Sequence, residues 1–250
     1  MSAYGVVLAA IFTAAAAAFI ALLFLNAPYG RFMRGGWGVA LSSRWAWFIM
    51  EFPAALSIFV VAISGDHGDP LAVFFLVIWE VHYLYRSLLY PAAMRDPRSR
   101  TMPVALIAMA IVYNCANGYV NGYHLFHRTV TYTSDWLADP RFAIGMILFV
   151  AGFIAHVRSD RILQLLRAPG EHEYRVPHGW LFRYVSSPNY LGEMVQWIGF
   201  AVATWSLAGL SFAVFTVANL LPRALATHRW YRRTFPDYPE DRAAIIPRVL

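Results

Sequence analysis

Asn189, Tyr190, Glu193, Gln196 and Trp197 fall within about two helical turns, at roughly 3.6 residues per turn. Asn189 and Glu193 are four apart, so a helix presents them on one face. They sit in the stretch 178–200, HGWLFRYVSSPNYLGEMVQWIGF, which begins as a basic, aromatic loop and ends as an apolar helix. A carboxylate just inside an apolar helix needs a partner or a purpose, because burying it unpaired is expensive. Glu51 raises the same question: it follows WAWFIM and precedes Pro53, with apolar residues on both sides. Glu80, Tyr83 and Arg86 are spaced i, i+3, i+6, with Tyr90 a further turn on. They make one polar stripe that lipid could not face cheaply. A Glu80–Arg86 network between helices accounts for two of these residues. Tyr83 is the better candidate for chemistry, since its phenol can donate to an oxygen.

Other chemistries find less support. His67, His82, His124 and His127 lie in no metal-ligand spacing, and there is no HExxH, histidine-rich box or CxxC. No metal is expected. No GxGxxG follows a strand, so any dinucleotide would be held without a Rossmann fold. Asn114, Asn117 and Asn121, near Tyr113, Tyr119 and Tyr123, read as an interfacial belt. The single cysteine, Cys115, excludes an internal disulfide and is expected as a packed thiol.

The elements that position these residues are membrane helices. The 250 residues are 59% hydrophobic and only 14% charged, against about 25% charged in a soluble domain. Net charge is +6, and all 20 basic residues are arginine. In a membrane protein that excess marks cytoplasmic loops, not nucleic-acid binding. Seven segments reach the roughly 20 apolar residues a span needs: about 3–25, 45–64, 70–90, 102–119, 141–157, 189–206 and 208–227. The first has no basic n-region and a long apolar run, so a retained helix is expected, not a signal peptide. Arginines crowd loops 26–44, 91–101 and 158–188 and the tail, whereas 64–70 has none and 120–141 only Arg128 and Arg141. The positive-inside rule then places the N-terminus outside and the C-terminus in the cytoplasm, the parity that seven spans require. A single all-α unit over 1–250 is expected, with no soluble domain and no repeats.

Four stretches resemble the membrane steroid 5α-reductases: WFIMEFP (47–53), VHYLYRSLLYP (81–91), LLRAPGEHEYRVPHGWLFRYVSSPNYLGEMVQWIGFAVATWSL (165–207) and YPEDRAAIIP (238–247). NYLGE is the most specific part. Sterol C14 reductases and isoprenylcysteine methyltransferases share looser versions. The resemblance implies a seven-helix reductase that uses NADPH to reduce the Δ4 double bond of a 3-oxo-Δ4 steroid. It implies that Glu51 and Tyr83 hold the 3-keto oxygen. It also implies cofactor contacts at Asp160, Arg167, Tyr174, Asn189, Glu193, Trp197, Arg223 and Tyr231, with Arg242 as a further member. The first four helices would then form mainly the steroid side and 141–250 mainly the cofactor side. Three positions depart from the mammalian pattern: Met50 for a Gln, Met109 for an Arg, and His156 for an Asn.

In such a reaction hydride reaches C5 and charge develops on the carbonyl oxygen, which donors stabilise. Tyr83 can donate directly. Glu51 donates only when protonated; alternatively it is ionised and orients Tyr83. Two other readings compete. An isoprenylcysteine-type methyltransferase using S-adenosylmethionine explains the C-terminal segment but not the Glu51/Tyr83 pair. A non-enzymatic sterol-binding or transport protein suits intramembrane Glu and Arg, but no inverted repeat is present. The expected setting is a lipid bilayer, the inner membrane of a bacterium, and the expected state is a monomer.

Overall fold

The computed structural model describes residues 2–66, 68–95, 101–128, 132–166, 168 and 173–250. The chain is mostly helical. Helix α1 spans Ala3–Phe24, α2 Ser43–Ile63 and α3 Pro70–Leu84. A π-helical turn, Tyr85–Leu89, and a short α4, Tyr90–Ala92, continue α3. Then come α5 (Val104–His127), α6 (Pro140–Leu165), α7 (Pro188–Thr204) and α8 (Leu207–Thr234). Strands β1 (Ala40–Ser42) and β2 (Thr101–Pro103) pair antiparallel, Ala40 opposite Pro103, and clip the starts of α2 and α5 together.

Sequence chemistry sets several helix starts. The Ser2 hydroxyl accepts from the Gly5 amide. Asp69 accepts from the Leu71 and Ala72 amides, with Pro70 in the first turn; Asp139 and Pro140 repeat the device on α6. Each side-chain oxygen satisfies an amide that has no partner within the helix, and proline there costs no hydrogen bond. Arg141 also donates to both Asp139 oxygens, at 2.9 and 2.7 Å. These bonds hold the Asp139 carboxyl below the usual carboxylate range, so the cap stays charged.

Among the described residues, six helices are long and apolar enough to cross a membrane, counting α3 to α4 as one rod, Pro70–Ala92. The segment expected over 189–206 is α7, a helix of 17 residues. It stops because Trp205 takes the left-handed conformation, φ +45°. Ser206 then caps α8, its hydroxyl accepting from the Gly209 amide at 2.9 Å. The fourth and fifth expected segments, 102–119 and 141–157, run on to His127 and Leu165 as helix. Polar ends ignored by a hydropathy reading are thus helical. Cys115 is exposed, not packed, because it lies on the outer face of α5.

Helices α6 and α7 touch backbone to backbone. A Cβ at Gly192 would overlap the His156 amide nitrogen, and one at Gly152 would overlap that of Gln196. Gly145 and Gly199 repeat the contact further along. Glycine spaced by seven thus lies on both helices, one residue per two turns on a single face. The main core gathers on Trp79, whose ring meets those of Tyr83, Trp197, Phe200 and Phe212 at 5.1–5.7 Å. Its indole N–H donates to the Ala54 carbonyl on α2 at 3.2 Å.

Candidate functional site

One cavity of about 780 Å³ penetrates the bundle, with walls from every long helix. Its size falls in the range of small-molecule and cofactor sites. One wall is apolar: Ala17, Ala21 and Leu22 of α1 and Leu106, Met109 and Ala110 of α5. Another wall is polar and carries Glu51, Tyr83, Arg86, Asp160, Asn189 and Glu193. Toward the end of α8 the lining becomes cationic and aromatic, with Arg31, Tyr174, Arg223 and Tyr231.

The π-helical turn continues α3 along this wall. Within that turn the Ser87 hydroxyl donates to the Tyr83 carbonyl at 2.6 Å. Such turns insert one extra residue into a helix and are frequent at functional sites. Tyr83, Arg86 and Tyr90 all line the cavity. Arg86 does not pair with Glu80. Its Nη2 donates to Glu51 Oε1 at 3.4 Å and its Nη1 to Asp160 Oδ2 at 3.5 Å. The rings of Trp47 and Tyr90 lie 4.3 and 5.1 Å from the guanidinium. The stripe was therefore legible but its partners were not, since they come from α2 and α6.

Tyr83 is buried and packed by its ring, against Trp79 at 5.1 Å, Trp197 at 6.0 Å and Phe212 at 6.4 Å. Glu51 lies one helix away on α2, beside Asn114, which donates to the Met50 carbonyl. Asn114 thus belongs to the cavity wall and not to an interfacial belt. On the other side, Asn189 Nδ2 donates to Asp160 Oδ1 at 3.2 Å. His156, one of the three departures, has its Nε2 3.5 Å from Asp160 Oδ2 and its Nδ1 3.6 Å from Glu193 Oε2.

Eight of the expected site residues line this one cavity: Glu51, Tyr83, Asp160, Tyr174, Asn189, Glu193, Arg223 and Tyr231. Trp197 stands behind it, buried against His82 at 4.7 Å and Phe212 at 4.1 Å. Arg242 sits apart. Its Nη1 donates to the Pro177 carbonyl at 3.2 Å, and it lines a second pocket of about 720 Å³ with Trp180 and Arg183. Arg242 and Tyr238 belong to a tail that folds back beneath α7. There the Ser186 hydroxyl meets Tyr238 Oη at 2.6 Å and His228 Nδ1 at 2.7 Å. Arg167 lies outside the described residues.

Arg31 and His82 were not singled out from the sequence. Arg31 comes from a 3-10 turn after α1. Its guanidinium lies 4.7 Å from the ring centres of Trp230 and Tyr231 and 5.4 Å from that of Tyr174. Its Nη1 is buried without a hydrogen-bond partner. In sequence it looked like one more cytoplasmic arginine. His82 hydrogen-bonds Gln196 across the α3–α7 contact at 3.0 Å.

A family model described as 3-oxo-5-alpha-steroid 4-dehydrogenase matches residues 100–250. "Steroid 5-alpha-reductase DET2" of Gossypium hirsutum is 41% identical over 234 residues, 92% of this chain and 91% of that protein. "3-oxo-5-alpha-steroid 4-dehydrogenase 1" of Bos taurus is 38% identical over 237 residues, 93% of this chain and 91% of that protein. The Homo sapiens protein of the same name is 39% identical over 226 residues, 89% of this chain and 86% of that protein.

Proposed function

This chain belongs to the 3-oxo-5-alpha-steroid 4-dehydrogenase family, and on that premise we propose that it reduces the Δ4 double bond of a 3-oxo-Δ4 steroid with NADPH. Reductases of this class act on a CH–CH bond and draw on a nicotinamide cofactor. The chain is a multi-pass membrane protein. We assign α7 as a seventh span, with the N-terminus outside and the C-terminus cytoplasmic; the arginine-rich loops support that orientation. A single copy contributes every wall of the cavity, in keeping with a monomer.

The observation that carries the proposal is the single cavity. It joins an apolar wall fit for a sterol skeleton, a Glu51/Tyr83 pair and a cationic aromatic end. The residues fit an anionic dinucleotide. Arg31 and Arg223 have no carboxylate partner among the described residues, and Arg31 Nη1 is an unpaired buried donor. A buried donor costs free energy until an acceptor meets it. Phosphate oxygens suit it, and the Tyr29 and Tyr190 rings, 4.8 and 5.2 Å from Arg223, hold that second guanidinium in place. Arg31, Tyr174, Arg223 and Tyr231 would hold the phosphate and adenosine part, with Arg167 a further member of that set. Asn189 and Glu193 would fix the nicotinamide, with Asp160 and Trp197 behind them. Arg242 would act on this end through the tail that it braces.

The bound cofactor supplies the hydride. The protein supplies orientation, a dry pocket and donors for the substrate oxygen. Tyr83 donates its phenolic proton to the 3-keto oxygen, where negative charge grows as C5 is reduced. One such donor lowers the barrier by about 2.7–4 kcal/mol. Glu51 stands beside it, its Oε1 committed to Arg86 and its other oxygen available to the phenol or the ketone. Carbon 4 then takes a proton. Purified protein in nanodiscs with NADPH and a 3-oxo-Δ4 steroid should form the 5α-reduced 3-oxo product. Absence of NADPH consumption across a panel of such enones would remove the proposal.

The methyltransferase reading rests on the C-terminal segment alone. Similarity to the named reductases and dehydrogenases runs over 89–93% of the chain.

A further inference from the structure

The polar wall holds a chain of polar contacts that links α2, the turn continuing α3, α6 and α7. It begins at Glu51 on α2, which Arg86 contacts at 3.4 Å, and Arg86 reaches Asp160 on α6 at 3.5 Å. The same Asp160 oxygen lies 3.5 Å from His156 Nε2, one helical turn back. The other ring nitrogen lies 3.6 Å from Glu193 on α7 and 3.2 Å from the Asn189 carbonyl. Asp160 Oδ1 closes the circuit by accepting from Asn189 at 3.2 Å. One end is thus the carboxylate beside the carbonyl-binding phenol. The other is the amide and carboxylate that face the nicotinamide in the reading above.

Each link is fixed by its surroundings. Asp160 is 3% exposed. Arg86 and Asn189 donate to its two oxygens, and His156 Nε2 stands 3.5 Å from one of them. His156 is 1% exposed and sits where the α6 and α7 backbones touch at Gly152 and Gly192. Arg86 is clasped by two aromatic rings and presented by the π-helical turn. An asparagine at 156, as in the mammalian pattern, has a single short amide. It cannot do what the ring does, which pairs one nitrogen with the Asn189 carbonyl at 3.2 Å and sets the other 3.5 Å from Asp160.

We propose that Arg86, Asp160 and His156 are positioning residues that set Glu51 in register with Asn189 and Glu193. Asp160 is placed to act on Asn189, which donates to it at 3.2 Å. The proposal rests on the reductase reading and adds to it a device built on this chain's own histidine. Misplacing reacting groups by about 1 Å is enough to cost on the order of 10²-fold in rate.

The test uses the full chain in nanodiscs, with NADP⁺ affinity measured by titration in the absence of steroid. His156→Phe keeps a ring but removes both nitrogens. It should weaken NADP⁺ binding about tenfold and lower kcat by about 10- to 100-fold, with the steroid KM moving far less. The primary deuterium isotope effect from NADPH deuterated at the transferred position should rise, because hydride transfer becomes slower. His156→Asn should fall between the two, and it decides the matter if His156→Phe fails to fold. For Asp160, a double-mutant cycle with Asn189→Ala separates the roles. If Asp160 acts through Asn189, adding Asp160→Asn to Asn189→Ala costs NADP⁺ affinity little more. Fully additive losses, or histidine variants within twofold of wild type on affinity, kcat and isotope effect, would overturn the proposal. A wild-type chain that neither binds NADP⁺ nor reduces an enone would instead sink the underlying functional reading.

Discussion

Removing one oxygen from Tyr83 separates its chemistry from its packing. Among the described residues, the contacts of the Tyr83 side chain are made by its ring, with Trp79, His82, Trp197 and Phe212. Tyr83→Phe keeps each of these and strands no partner. Stability should therefore change by less than about 1 kcal/mol, the net worth of an ordinary hydrogen bond. The barrier should change far more. One donor to a developing oxyanion is worth about 2.7–4 kcal/mol, or roughly 10²–10³ in rate at 1.36 kcal/mol per decade. The loss should appear in kcat and kcat/KM together, because the interaction strengthens only as charge develops. The assay is NADPH oxidation at 340 nm, with steroid product quantified in parallel and thermal unfolding followed on the same preparations. A Tyr83→Phe protein with unchanged melting and kcat within threefold of wild type would refute the placement of Tyr83 on the carbonyl.

Other outcomes follow from the same geometry. Arg86→Met should destabilise the fold by about 3–5 kcal/mol, because it leaves buried Glu51 and Asp160 without their shared cation; loss of monodisperse protein on size exclusion, or a melting point within two degrees of wild type, settles it either way. Arg223→Gln should raise the NADPH KM while leaving the steroid KM near wild type, since Arg223 belongs to the cationic end; equal effects on both would contradict that division. Gly192→Val should prevent α6 and α7 from closing and cost about 1–3 kcal/mol or more by overpacking, read as lower yield and melting temperature. A normal melting curve for that variant would show the helix contact to be looser than described.

Much of this arrangement was legible before any coordinates. Long apolar runs located the helix starts to within a few residues, because hydrophobic length is what a bilayer demands, whereas α5, α6 and α8 run on well past the expected ends into polar sequence. Glu51, Asn189 and Glu193 stood out because a carboxylate or amide in such a run needs a reason. What stayed hidden depends on tertiary geometry. The partners of Arg86 could not be read from helical spacing, because two other helices supply them. Glu80 instead keeps a buried oxygen without a hydrogen-bond partner. Arg31 was indistinguishable from positive-inside bias until the chain folded it onto Trp230 and Tyr231. His156 showed only as an odd residue at a familiar position. The seven-residue glycine spacing of α6 and α7 was present in the sequence as a packing signal. Hydropathy does not detect it, since glycine is nearly neutral on that scale. Cys115 misled because an apolar neighbourhood in sequence means lipid as often as protein core.

The central claim is that one cavity delivers hydride to the β-carbon of an enone whose oxygen Glu51 and Tyr83 hold. Deuterium tracing tests it most directly. Purified chain in nanodiscs is given a 3-oxo-Δ4 steroid with NADPH deuterated at the transferred position, and the product is analysed by mass spectrometry and NMR. The account predicts one deuterium per product molecule, at C5 on the α face, with the C4 proton drawn from solvent. Deuterium elsewhere, or a reduced carbonyl with the double bond intact, would contradict it.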